Sequence, residues 1–129
     1  IVQECLTHAG LWEEVKDRLD DSASRLSIGQ LQRLCIARVL ANEPDVLLMD
    51  EPCSALDPNS TARIEELITG LRSSYTIIIV THNIAQARRI ADRVIFMSDG
   101  RILEDGPAER VLNTPTDPMV RDFVTGRKG

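Results

Sequence analysis

Aromatic residues are scarce in this sequence: Trp12, Tyr75, Phe96 and Phe123 are the whole complement in 129 residues. Any core must therefore be aliphatic. Cysteine is equally sparse, and Cys5, Cys35 and Cys53 are odd in number with no metal-ligand spacing. That argues against a disulfide scaffold and fits a reduced cytosolic compartment. No apolar run approaches the roughly eighteen residues of a membrane-spanning helix. No secretory signal pattern is visible, although the chain opens on Ile1 rather than Met, which leaves an earlier start open. A basic excess is missing too. Fifteen Lys and Arg against twenty Asp and Glu give a formal net charge of −5. This speaks against a nucleic-acid surface, where neutralising phosphates needs clustered cations. Repeats and low-complexity segments are absent. What is present is 43% hydrophobic content, enough at this length for one domain with its own core.

Apolar spacing sets out the elements. Val2, Cys5, Leu6 and Ala9 share one helical face with Gly10 as a stop, and Trp12, Val15 and Leu19 predict a second helix. A longer helix over 28–41 is expected to end at Asn42-Glu43-Pro44-Asp45. Val46-Leu47-Leu48-Met49 is short and wholly apolar, and reads as a strand buried on both faces, as in a parallel sheet. Asp57-Pro58 supplies an N-cap followed by proline at the first helical position. Ile64, Leu67, Ile68 and Leu71 then mark the buried stripe of one helix. With a strand over 76–80, residues 46–80 make a strand–helix–strand unit of the length a parallel crossover needs. A short helix over 85–91 precedes a strand at 93–97, and Asp99-Gly100 is a tight turn into a strand at 101–104. Short helices near 108–112 and 118–124 complete the chain, with Pro115 and Pro118 breaking the segment between them.

Two carboxylates, Asp50 and Glu51, follow the first apolar strand directly. The carboxyl end of a buried strand is where open α/β sheets bind ligands. There Asp50 is placed to hold a hydrated Mg2+ and Glu51 to polarise a water beside it. An acidic turn after a buried strand is equally a common structural feature. Ser27 and Gln30 stand in the S-x-x-Q relation of a capping box, so a helix start is expected, with free N–H groups that attract anions. Gly29 would let a phosphate approach the backbone. The plain alternative is an ordinary capped helix. His82 follows a second apolar strand, Ile77-Ile78-Ile79-Val80, and is expected at the same sheet edge, suited to hydrogen-bond a phosphate. A lone histidine is more often structural, the reading kept for His8. Cys53 reads as a small turn residue.

Four segments in this order resemble the ATP-binding cassette (ABC) ATPases. Leu26-Ser27-Ile28-Gly29-Gln30 looks like the signature motif, and residues 46–51 like Walker B with its glutamate. Ser54-Ala55-Leu56-Asp57 looks like the D-loop, and Thr81-His82-Asn83 carries the switch histidine. The resemblance covers nearly the whole chain, but only about the second half of such an ATPase. It implies an α/β fold: a partial P-loop NTPase (RecA-like) domain, its parallel sheet flanked by helices, with part of the helical signature subdomain and a C-terminal hairpin. The signature part would cover 1–43, the core sheet 44–106 and a helical tail 107–129. The implied cofactors are ATP and Mg2+. Glu51 would be general base for the water attacking the γ-phosphorus, His82 a γ-phosphate partner, and Asp50 the Mg2+ ligand through water. Ser27, Gly29 and Gln30 would meet ATP held by the other subunit, and Asp57 would serve as helix cap and cross-subunit contact. Two positions depart from the pattern. Ile28 stands where the first of two adjacent glycines is usual, and Leu31 where a polar residue is usual, which leaves the strength of the signature contact open.

Nothing in the sequence matches G-x-x-x-x-G-K-[ST], the loop that cradles phosphates, and the glutamine loop is missing as well. The polypeptide alone is therefore expected neither to bind ATP tightly nor to hydrolyse it. Its sheet is expected to leave an apolar edge prone to association. Within the family, the stretch from Leu11 to Leu19, the stretch from Arg33 to Arg38 and the terminal Thr125-Gly126-Arg127-Lys128-Gly129 look like the ATPase of the bacterial phosphate-specific (Pst) importer. That likeness implies a homodimer joined through signature and D-loop. It would sit on the cytoplasmic face of the cell membrane against two membrane-spanning permease subunits, with a phosphate-binding protein outside. No nucleic acid is implied. Rival readings are an importer ATPase for another solute, such as an amino acid or a metal, and an ABC ATPase acting on nucleic acid or the ribosome. A non-catalytic interaction fragment is the third. The Trp12 segment speaks against the first rival and the acidic balance against the second.

Overall fold

A computed structural model describes residues 1–127, which divide into two compact units, one over Ile1–Val80 and one from Thr81 onward. Lys128 and Gly129, the end of the terminal motif, lie outside the described residues. In the first unit, α1 (Val2–His8) ends where Gly10 turns left-handed at φ 62°. The amides of Gly10 and Leu11 then donate back to the carbonyls of Thr7 and Leu6 at 2.9 and 2.8 Å, a Schellman closure. The next helix, α2 (Trp12–Val15), is shorter than its sequence pattern predicts. Leu19 is 51% exposed, so the third member of the expected stripe buries little and cannot carry the helix onward. Helix α3 (Ile28–Leu40) buries Gly29, Arg33, Ile36, Ala37 and Leu40, one face at 3.6-residue spacing. Leu6, Ala9, Leu11, Val15 and Ala37 form a closed aliphatic cluster, with Trp12, Leu26, Leu34 and Leu67 against it.

Strand β1 (Val46–Asp50), helix α4 (Pro58–Leu71) and strand β2 (Thr76–Val80) make the expected parallel crossover, in register from Val46 opposite Thr76 to Asp50 opposite Val80. Ile64, Ile68 and Leu71 are buried as their spacing predicts, with Leu67 half-buried. One expectation fails. The apolar run in β1 is not buried on both faces: Leu47 is 1% exposed, but Leu48 is 76% exposed. Val46, Ile78 and Val80 share the open face with it. The physical reason is that among the described residues this sheet has two strands, too few for both of its faces to be enclosed as in a larger parallel sheet.

The second unit begins with α5 (Ile84–Ile90), capped by Asn83, whose side chain accepts from the Gln86 amide at 3.0 Å. Strands β3 (Arg93–Ser98) and β4 (Arg101–Pro107) form an antiparallel hairpin. Asp99 and Gly100 both take positive φ, 49° and 74°, as a type I′ turn requires. β4 outruns its expected end at 104 because Asp105, Gly106 and Pro107 pair with Ile95, Val94 and Arg93. The Arg93 guanidinium also grips Asp105 with two 2.7 Å bonds. Helices α6 (Ala108–Asn113) and α7 (Pro118–Val124) follow, and the ring of Phe123 meets that of Phe96 edge-on at 5.1 Å. Among the described residues no helix is long and apolar enough to cross a membrane.

Candidate functional site

The start of α3 is built by its own sequence. Ser27 Oγ accepts from the Gln30 amide at 3.2 Å, and Gln30 Oε1 accepts from the Ser27 amide at 2.9 Å, closing the capping box. The first-turn amides of Ile28 and Gly29 are then those a helix leaves without intrahelical acceptors, donors suited to an anion. Ile28 itself is 55% exposed beside them. Gly29 is buried, and a Cβ there would lie 3.0 Å from Ser60 Oγ and 3.1 Å from Ser60 Cβ. Its missing side chain therefore serves the approach of α3 to α4. Ser60 belongs to the cap of α4: its amide donates to Asp57 Oδ1 at 2.9 Å and its hydroxyl to Asp57 Oδ2 at 2.8 Å. The Ser60 amide, followed by its hydroxyl, holds the Asp57 carboxyl below its ordinary range. The segments expected to be signature and D-loop thus meet through one serine.

A second cluster lies behind this one, and sequence reasoning missed it. Arg33 is buried on α3, where an unpaired cation would be costly. Its guanidinium forks onto the Glu14 carboxylate of α2, with Arg33 Nη2 donating to Oε1 at 3.1 Å and Nη1 to Oε2. Nη1 also donates to the Gly10 carbonyl at 2.5 Å. Gln30 Nε2 donates to Glu14 Oε1 at 3.1 Å, and Arg63 of α4 stands 3.6 Å from the same oxygen. The Arg33 hydrogen bonds, ahead of those from Gln30, push the Glu14 pKa down. The available signal was Arg33 falling on the same stripe as Ile36, Ala37 and Leu40, since a cation there demands a carboxylate from elsewhere in the fold.

Asp50 ends β1, exposed, and Glu51 follows in a left-handed conformation at φ 47°. Its amide donates to the Val80 carbonyl at 2.8 Å, extending the ladder by one bond. A left-handed glutamate is uncommon and locally strained. Among the described residues no three His, Cys, Asp or Glu side chains cluster as metal ligands. A cation at Asp50 would thus draw its remaining ligands from water and phosphate oxygens, which suits Mg2+. A shallow groove of about 170 Å3, lined by Gln32, Cys35, Val39, Leu48 and Pro52, opens beside Asp50. It is smaller than ordinary ligand pockets. A larger cavity of about 610 Å3, lined by residues that include Thr7, His8, Arg63 and Glu66, touches none of the proposed reacting groups. His82 is exposed at the start of the second unit, where Thr81 Oγ1 accepts from the Asn83 amide at 3.1 Å.

Comparison with known proteins bears on these motifs. Residues 1–54 match the ABC transporter family model. A phosphate import ATP-binding protein, PstB 2 of Bacillus subtilis, is 57% identical over all 129 residues, which cover 48% of that protein. PstB of Malacoplasma penetrans is 54% identical over 128 residues, covering 99% of this chain and 44% of its own length. The chain resembles the ABC transporter ATPases over its whole length. Its fold agrees: a solved ATP-binding cassette of an ABC transporter, in its ADP conformation, superimposes with a TM-score of 0.78 at 25% identity. That match covers 97% of this chain and 48% of the cassette. The chain thus spans about half the length of the relatives it matches, and its α/β architecture is that of part of an ABC ATPase.

Proposed function

We propose that the chain is part of the ATP-hydrolysing subunit of an importer for inorganic phosphate. The observation that carries this reading is 57% identity, along all 129 residues, with a phosphate import ATP-binding protein. In this reading residues 1–43 form the signature part, 44–106 the core and 107–129 a helical tail. The capped start of α3 offers the amides of Ile28 and Gly29 to the γ-phosphate of ATP held by a second copy, with Ser27 and Gln30 holding that turn through their capping box, and Asp57 touches that copy. Asp50 would hold Mg2+ through water, and His82 would donate a hydrogen bond to the γ-phosphate. Glu51 accepts the proton of the attacking water. Mg2+, when bound, would supply charge neutralisation on the phosphates. Phosphoryl transfer asks a protein mainly for positioning and electrostatics, so one carboxylate for the water suffices. The dimer works at the cytoplasmic face of the membrane, against two membrane-spanning permease subunits, with a phosphate-binding protein outside. No nucleic acid takes part.

These 129 residues contain no G-x-x-x-x-G-K-[ST] pattern, so the polypeptide alone is expected to bind ATP weakly. Micromolar affinity in a nucleotide titration would count against the assignment of roles. The decisive experiment uses the full-length protein carrying this segment, in a strain lacking its phosphate-importer ATPase. Growth on limiting phosphate is expected to be rescued. Glu51→Gln is expected to abolish rescue and lower ATP turnover by about 10²–10⁴-fold, the usual contribution of a general base. Turnover that survives Glu51→Gln removes Glu51 from the mechanism, and failure to rescue with active ATPase removes phosphate as the solute.

A further inference from the structure

We propose that Glu14 is a positioning residue that holds the first turns of α3 and α4 as one body. The inference rests on the functional reading above, in which both turns meet the nucleotide of a second copy. Glu14 stands on α2, outside every motif of the reaction, yet hydrogen-bond donors of α3 and a cation of α4 converge on its carboxylate. Oε1 accepts from Gln30 Nε2 and Arg33 Nη2, each at 3.1 Å, and lies 3.6 Å from Arg63 Nη1. The other oxygen takes the second prong of the Arg33 fork. Gln30 is the residue whose carbonyl oxygen closes the capping box on the Ser27 amide at 2.9 Å. One carboxylate therefore fixes the orientation of the amide that fixes the start of α3. Through Arg63 it also reaches α4, one turn beyond Ser60.

The contact between Gly29 and Ser60 supports the same linkage independently. A Cβ on Gly29 would come within 3.0 Å of Ser60 Oγ, so the two helix starts have no slack at that point. Ser60 is bonded through both amide and hydroxyl to Asp57. A shift of α3 at its first turn is thereby passed to the cap of α4. Exposed ion pairs contribute little, but this one is different. Arg33 is buried with 7% of its side chain exposed, its fork is bidentate, and loss of Glu14 leaves that guanidinium without its carboxylate.

The test uses the full-length protein with Glu51→Gln in place to block turnover, and reads ATP-driven dimerisation together with ATP binding by the monomer. Glu14→Ala and Glu14→Gln are each expected to raise the ATP concentration for half-dimerisation about tenfold, the scale of one charge-assisted bond. ATP binding by the monomer is expected to stay unchanged, and Glu14→Asp to recover part of the loss. A purely structural role would lower the thermal midpoint and leave the dimerisation curve of the folded protein where it was. That result overturns the proposal. Arg63→Ala, at an exposed position, removes only the arm to α4 and provides the test should Glu14→Ala fail to fold, with a shift of about threefold expected. If the parent protein with native Glu14 binds ATP and does not dimerise, the functional reading fails and this proposal falls with it. Dimerisation that ignores Glu14 and Arg63 sinks the proposal alone.

Discussion

At the scale of single residues, the strongest electrostatic feature outside the motif region is Glu104. It is buried on β4, and its Oε1 accepts from the Thr116 hydroxyl at 3.0 Å, the Asp117 amide at 2.7 Å and the Thr116 amide. Oε2 accepts from Arg110 at 3.0 Å. The Asp117 amide, ahead of the Thr116 and Arg110 donors, holds its pKa down to about 2 from 4.5. A carboxyl depressed on folding stabilises the folded state above its unfolded pKa and loses that contribution as pH falls through the folded value. Stability of the second unit is thus expected to decline from about pH 4.5 towards pH 2. Glu104→Gln should be less stable at pH 7 and show a flatter decline over that window, read by circular dichroism at several pH values. An unchanged acid profile would mean that Glu104 does not govern it. This residue was not legible in sequence, because its donors lie 6, 12 and 13 positions downstream, in the helix and loop that follow its strand, and no repeating spacing announces them.

At the scale of elements, the tightest constraint is the approach of α3 to α4. Gly29→Ala inserts a methyl within 3.0 Å of Ser60. Overpacking of this kind costs about 1–3 kcal/mol, against about 1 kcal/mol that alanine gains over glycine inside a helix. A net loss of about 1 kcal/mol is expected in urea unfolding. Stabilisation by Gly29→Ala would show that the helices part freely. Most elements were readable because their cause is local. The S-x-x-Q cap of α3, the Asp57-Pro58 start of α4 and the Asp99-Gly100 turn all formed where their side chains dictate. The misread ends have tertiary causes. α2 stops early because Leu19 finds little to bury against, and β4 runs on because Arg93, Val94 and Ile95 offer it partners. The candidate site divides in the same way. Its caps are local, whereas the Glu14–Arg33 bridge spans 19 positions and follows only from packing.

At the scale of the whole molecule, exposed apolar surface stands out. Val46, Leu48, Ile78 and Val80 leave one face of the parallel pair open, and Ile95, Met97 and Ile102 are likewise exposed on the hairpin. Contiguous apolar faces of this kind drive association, so the 129-residue polypeptide is expected to self-associate. Leu48→Lys with Ile78→Lys, a cross-strand pair in register, should shift sedimentation towards monomer without loss of helix content. Undiminished association would put the sticky surface elsewhere. The scarcity of aromatic rings has its own consequence. Trp12, packed on the helical cluster, and Tyr75 both belong to the first unit, while the second holds only Phe96 and Phe123. Intrinsic fluorescence excited at the indole band is therefore a private signal of one half of the chain. Its coincidence with the far-ultraviolet signal of the whole would report directly whether both halves melt in a single cooperative event.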